Sequence, residues 1–180
     1  MQKHAAVIDT SCVIALDGLD AVPLLAFLFS RLWVPKAVRG ELFRRRRMED
    51  RIKTAFDNYA FVQPCNDYDQ GAVDVLLAGR VRRLGKKDRG EAEAVVQAST
   101  LAAMAVIDEP WGRHLAQRHS LECHGTIWIL EQFHALGLRT AHELRQDLQN
   151  LRIRRIRFPL QAANDLLIRI GERPIGADSM

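Results

Sequence analysis

Apolar residues fall into two kinds of run along this chain. Short unbroken runs, Ala5-Ala6-Val7-Ile8 and Met104-Ala105-Val106-Ile107, have the length and content of strands buried on both faces of a parallel sheet. Each stops at a carboxylate: Asp9, followed by Thr10 and Ser11, and Asp108, followed by Glu109. Other apolar residues recur at helical spacing. Val73, Leu76, Leu77, Val81 and Leu84 predict a helix from Gln70 to Leu84, and Ile129, Leu130, Phe133 and Leu136 predict one from Ile127 to Leu136, stopped by Gly137. Ala21 to Leu32 is apolar almost throughout and reads as a helix packed on the sheet. Trp33-Val34 is too short to assign alone. Pro35 suits the first turn of a helix carrying Val38, Glu41 and Leu42. Tyr59 to Val62 predicts a short strand stopped by Pro64. Leu121 to His124 predicts an edge strand ending at Gly125, with Thr126 capping the next helix.

This alternation predicts a three-layer α/β/α sandwich around a mainly parallel central sheet. The 180 residues suit one domain with a core over about residues 1–138. From Thr140 the composition shifts. His142 to Leu151 reads as a polar helix, Arg152 to Arg157 interleaves arginines with Ile153 and Ile156, and Phe158-Pro159 leads into a last helix ending at Ile170. That is a C-terminal helical extension over about residues 139–172, followed by a frayed tail at 173–180.

Position along these elements singles out candidate chemistry. In open α/β sheets ligands bind at the carboxyl ends of the strands, where Asp9 and Asp108 fall. The competing reading is that each merely caps the helix that follows. Glu41 lies on or beside the apolar stripe of its helix, three residues from Val38. In the helix that begins near Lys86-Lys87-Asp88, the residues Ala94, Val95, Ala98 and Ala102 share a face with Glu91, whereas Glu93 and Gln97 fall opposite. Helix phase therefore selects Glu91 as the acid turned towards the sheet. Locally, Asp88 and Glu91 also have the spacing of a capping box. Arg44 to Arg47 point all round their helix and read mostly as solvated surface.

Charge and composition narrow the classes without deciding among them. The net charge is +4 and the pI about 9.2, a mild basic bias compatible with a polyanionic partner. Five basic residues are lysine and 21 arginine, which suits bidentate phosphate contacts but equally follows from a G- and C-rich genome. Cys12, Cys65 and Cys123 are odd in number and lack metal-ligand spacing, so reduced thiols in a cytoplasm are expected and zinc is not. The chain enters its first strand at once, so no signal peptide is expected, and no apolar run reaches the length of a membrane span.

The ordered set Ile8-Asp9-Thr10-Ser11, Val34-Pro35 with Val38 and Glu41-Leu42, Gly90-Glu91-Ala92-Glu93-Ala94, Ile107-Asp108-Glu109 and Gly125-Thr126 resembles a PIN domain over about residues 5–172. More narrowly it resembles the VapC-like toxin branch, whose members carry a Gly-Glu-Ala-Glu-Ala helix and a helical C-terminal extension. The resemblance implies a Mg²⁺- or Mn²⁺-dependent ribonuclease, the toxin of a toxin–antitoxin pair. Asp9, Glu41, Glu91 and Asp108 match the family's acids, with Glu93 the fallback for Glu91. Thr10, Ser11 and Thr126 match supports near metal or phosphate, and Arg113 is expected to hold the substrate backbone. The expected partners are an RNA substrate, a small antitoxin docking on the apolar helix at Ala21 to Leu32, and a second copy in a homodimer. Trp128 departs from the small residue many relatives carry there and is expected to narrow access to the site. The leading alternative is a catalytically weak PIN-like module that binds RNA or protein. A haloacid-dehalogenase-type phosphatase needs a second aspartate where Ser11 stands, and a receiver domain needs an acid pair and a late lysine that are not apparent.

Overall fold

The computed structural model describes residues 3–44, 54, 58–66, 68–79 and 88–176. Its centre is a five-stranded parallel sheet in the order β3-β2-β1-β4-β5. The strands are β1 (His4–Ile8), β2 (Phe29–Pro35), β3 (Val62–Cys65), β4 (Met104–Val106) and β5 (Cys123–His124). From β1 the chain moves outward to β2 and β3, then returns to add β4 and β5 on the other side of β1. Ala6, Val7 and Ile8 pair with Met104, Ala105 and Val106. The order therefore reverses between β1 and β4, which is where a doubly wound sheet opens its ligand crevice.

Alternation along the strands feeds two layers of helix. Ala6, Ile8, Met104 and Val106 point to one face. There they meet α1 (Thr10–Asp17), α2 (Leu25–Leu28), α3 (Lys36–Phe43), α7 (Thr126–Ala135), α8 (Ala141–Ile153) and α9 (Leu160–Arg169). Val7, Ala105 and Ile107 point to the other face, against α5 (Arg89–Thr100) and α6 (Pro110–Arg118). Val73 of α4 (Gln70–Ala78) packs on Ala92 and Val96 of α5. The three-layer α/β/α architecture with C-terminal helices is thus the one the apolar pattern predicts. Among the described residues no single helix is long and apolar enough to cross a membrane.

Several local expectations are corrected. Ala21 to Leu32 is not one helix: a 3₁₀ turn (Val22–Leu24) and α2 give way at Phe29 to β2. Phe29, Leu32 and Val34 are buried where β2 pairs with β1, with a register shift after Phe29, and that pairing overrides the helical reading. Trp33-Val34 belongs to this strand, which ends at Pro35. The intended docking face shrinks accordingly, because Ala21, Leu25 and Leu28 are buried and only Phe27 of that segment is a large exposed apolar side chain. The strand placed at Tyr59 to Val62 begins at Val62 and runs through Pro64. Proline is tolerated there because β3 is an edge strand. Asp88 precedes α5 without a side-chain cap bond, so the Asp88–Glu91 capping box does not form. Gly125, not Thr126, is the cap residue of α7. Residues 173–176 are not frayed, since Ile175 is buried and its N–H and C=O both bond the Asn164 side chain. Arg45 to Arg47, Lys86-Lys87 and the distal part of the helix placed at Gln70 to Leu84 lie outside the described residues.

Candidate active site

Asp9 leaves β1 as the cap residue of α1. Its Oδ2 accepts from Ser11 N–H at 3.2 Å and from Ser11 Oγ–H at 2.7 Å. The capping reading is therefore correct for Asp9, but it uses one oxygen only. Oδ1 faces Gly90 at the start of α5, where a Cβ would stand 3.4 Å from it and 3.6 Å from Glu41 Oε1. Thr10 Oγ–H donates to Glu41 Oε2 at 2.8 Å, tying α1 to α3. One cleft of about 530 Å³ is lined by Asp9, Thr10, Ser11, Glu41 and Glu91, with Asp88, Glu109, Arg44 and Arg157 at its walls.

Glu91 reaches this cleft from the first turn of α5, as its helix phase predicts. Its Oε2 is buried without a hydrogen-bond partner. Burial, and then the Asp9 charge, push its carboxyl up to about 8. Burial also raises Asp9, opposed by its bonds to Ser11 and Thr10, with the Asp108 charge adding to the rise. A shifted carboxyl pair at a strand-end crevice is a functional-site signature.

Asp108 is placed differently. Both its oxygens are engaged by Thr126, whose N–H donates to Oδ1 at 2.8 Å and whose Oγ–H donates to Oδ2 at 2.6 Å. It is near enough for its charge to act on Asp9, yet it lines two neighbouring cavities instead of the cleft. Its neighbour Glu109 takes the place on the cleft wall. Gly125 is fixed by this arrangement, because any Cβ there would collide with Asp108 Oδ1. Thr126 is therefore the residue that holds Asp108.

Glu93, on the side of the helix opposite Glu91, is buried as well. It is 1% exposed and accepts from Ala37 N–H at 2.7 Å, Tyr68 Oη–H at 2.6 Å and Arg89 Nε–H at 3.1 Å. It joins α5 to the first turn of α3 and is absent from the cleft lining. Gln97 is likewise buried. Arg113 bonds the Ile107 carbonyl at 3.1 Å and faces the cavities beside Asp108. Trp128 stacks on His124 with ring centroids 4.2 Å apart. It lines the cavity with Asp108 and Arg113 and is not on the wall of the cleft holding Asp9 and Glu91. Glu109 and Arg157 were not singled out from sequence. Glu109 was within reach as the second acid at a strand end, but Arg157 arrives through the fold of the extension.

A PIN-domain family model matches residues 5–172. The chain belongs to the PIN-domain family. A comparison with curated proteins found no match. PIN domains are generally nucleases and typically depend on a divalent metal. The acids gathered here fit that chemistry in kind, being oxygen donors of the sort Mg²⁺ and Mn²⁺ prefer. Among the described residues no group of three or more Asp, Glu, His or Cys side chains is arranged to hold a metal ion. Mg²⁺ does not require such a cage, since it is usually held by one or two carboxylates, waters and substrate phosphate. Asp9 and Glu91 of this PIN domain both line the cleft.

Proposed function

We propose that this PIN domain is a Mg²⁺- or Mn²⁺-dependent endoribonuclease. The observation that carries the reading is the buried Glu91 carboxylate, whose unpartnered Oε2 sits beside Asp9 at the sheet's reversal point. An acid pair in that setting is costly unless a cation offsets it. Asp9 and Glu91 would hold the cation. When bound, it would supply positive charge to the phosphodiester and lower the pKa of an attacking water. Ser11 orients Asp9, Thr10 orients Glu41, and Thr126 fixes Asp108 as a nearby negative charge. Glu41 is the next acid on the cleft wall, positioned to direct a water. Arg44 and Arg157 at the rim would face the substrate backbone.

The test is cleavage of single-stranded RNA in Mg²⁺ or Mn²⁺ by the purified chain and by Asp9→Asn. The substitution keeps size and removes charge, so cleavage is expected to vanish while the circular dichroism spectrum is retained. Undiminished cleavage by the variant overturns the mechanism.

The resemblance to toxin-like relatives supports a narrower reading, in which the chain is the toxin of a pair and works in a cytoplasm. Its small antitoxin partner would place a cationic side chain among the cleft acids, and the chain itself would form a homodimer. With metal chelated, a pull-down from native cells should recover the small partner, and light scattering should report a dimer. A monomer that recovers no such protein removes the toxin reading and leaves the nuclease one. The engagement of both Asp108 oxygens favours a second reading, a catalytically weak module that binds RNA or protein. Tight RNA binding without cleavage at saturating Mn²⁺ would select it.

A further inference from the structure

Glu109 and Arg157 line both the acidic cleft and a second, larger cavity of about 910 Å³. The two spaces adjoin along these residues, but their chemistry differs. The first is walled mainly by carboxylates. The second presents Arg113, His114 and Gln117 from α6, and Phe158 from the segment that joins α8 to α9. Phe158 is half-buried and packed against the main core, so its ring is held in place while one side lines the cavity. Arg157 and His114 make no hydrogen bond or ion pair among the described residues, and Arg113 spends one N–H on the Ile107 carbonyl. The turn that delivers Arg157 is well defined: Arg155 is left-handed (φ 56°) and Ile156 N–H bonds the Leu151 carbonyl at 2.9 Å.

Guanidinium groups with N–H donors to spare beside a fixed aromatic ring are the combination that binds a single-stranded polynucleotide, through phosphate contacts and base stacking. We infer that this second cavity is a substrate subsite, in which Arg157 and Arg113 hold successive phosphates of a single strand leaving the acidic cleft and Phe158 stacks one of its bases. The inference rests on the nuclease reading for the identity of the strand. It gives the helical extension a part in substrate binding. A duplex keeps its bases stacked on each other and presents none to Phe158, so the subsite selects unpaired strands.

The test measures binding apart from cleavage, in the Asp9→Asn background. The probe is a fluorescein-labelled oligouridylate, alone or annealed to its complement, followed by anisotropy over a salt series. Arg157 is exposed, so Arg157→Ala is expected to fold normally. It should weaken single-strand binding and reduce the slope of log affinity against log salt by about 0.7, the contribution of one phosphate contact on a single strand. Arg157→Lys should restore the slope. Phe158→Leu should weaken single-strand binding roughly ten-fold with little change of slope. Unchanged affinity and slope in Arg157→Ala, or equal affinity for strand and duplex, overturns the subsite. If the parent chain cleaves RNA while Arg157→Ala binds normally, the subsite alone fails. If the parent cleaves nothing but Arg157→Ala still loses strand binding and slope, the nuclease reading fails and the subsite stands.

Discussion

Glu91 and Glu93 lie two residues apart on one helix, are both buried, and have opposite circumstances. Glu93 is satisfied by Ala37, Tyr68 and Arg89, whereas Glu91 keeps a buried oxygen unpartnered beside Asp9. Glu91→Gln should therefore abolish cleavage with little loss of stability. Glu93→Gln should leave an N–H group where Ala37 or Tyr68 donates, costing about 1–3 kcal/mol by denaturant titration, with the smaller effect on the chemical step. Equal losses of kcat in the two variants would show that Glu93 shares the reaction. The same contrast has a pH consequence for the metal-free protein. The folded-state carboxyl of Glu91 is raised from 4.5 to about 8, so between these values the folded chain holds a proton that the unfolded chain releases. Stability is thus fully present below pH 4.5 and falls as pH rises towards 8. In chelator, unfolding midpoints should drop across this window, and Glu91→Gln should flatten the drop. An equally steep drop in the variant would assign it to another group.

Element by element, what was legible depended on how local its cause was. Runs such as Val7-Ile8 and Val106-Ile107 carry their fate in four residues, and the acids that end them could be placed at a strand edge from sequence alone. Helix phase aimed Glu91 correctly because α5 packs on the sheet. It misjudged Glu93 and Gln97 because α3, α4 and α6 also pack around α5, burying every residue from Gly90 to Ala98. No periodicity records that enclosure; it is made by segments distant in the chain. Ala21 to Leu32 failed for a related reason: strand pairing with β1 claimed its last four residues. Small residues allow the close approach around α5. A Cβ on Gly112 would stand 2.7 Å from Ile107 Cγ2 and 3.0 Å from Glu91 Cβ. Gly112→Ala should therefore push α6 away from α5, costing about 1–3 kcal/mol and lowering kcat through displacement of Glu91. A variant with wild-type stability and wild-type kcat would mean that the two helices part without cost.

At the scale of the whole molecule, the extension that composition sets apart is joined to the rest by its packing. Leu144, Leu148 and Leu151 of α8, and Ala163, Leu166 and Leu167 of α9, are buried in the same cluster as Ile8, Leu16 and Phe133. Arg139 and Asp147 pair at 3.0 Å where the extension begins, and a Thr140–Glu143 capping box starts α8. A chain cut after residue 138 would expose the apolar side of α7 to water. Burial at about 25 cal/mol per Å² makes that loss large against a folding free energy of only about 5–15 kcal/mol. The expected outcome is that residues 1–138 alone aggregate or unfold well below the melting temperature of the full chain. Because truncation also removes Arg157, a point variant separates support from substrate binding. Leu148→Ala leaves Arg157 and Phe158 in the chain and should cost about 2–5 kcal/mol through the cavity it creates, in a single cooperative transition. Two resolved transitions in that variant, with only the first shifted, would show that the extension folds as a unit of its own. A monomeric truncated chain with the full-length melting temperature would show the same, and the core would then end where the composition changes.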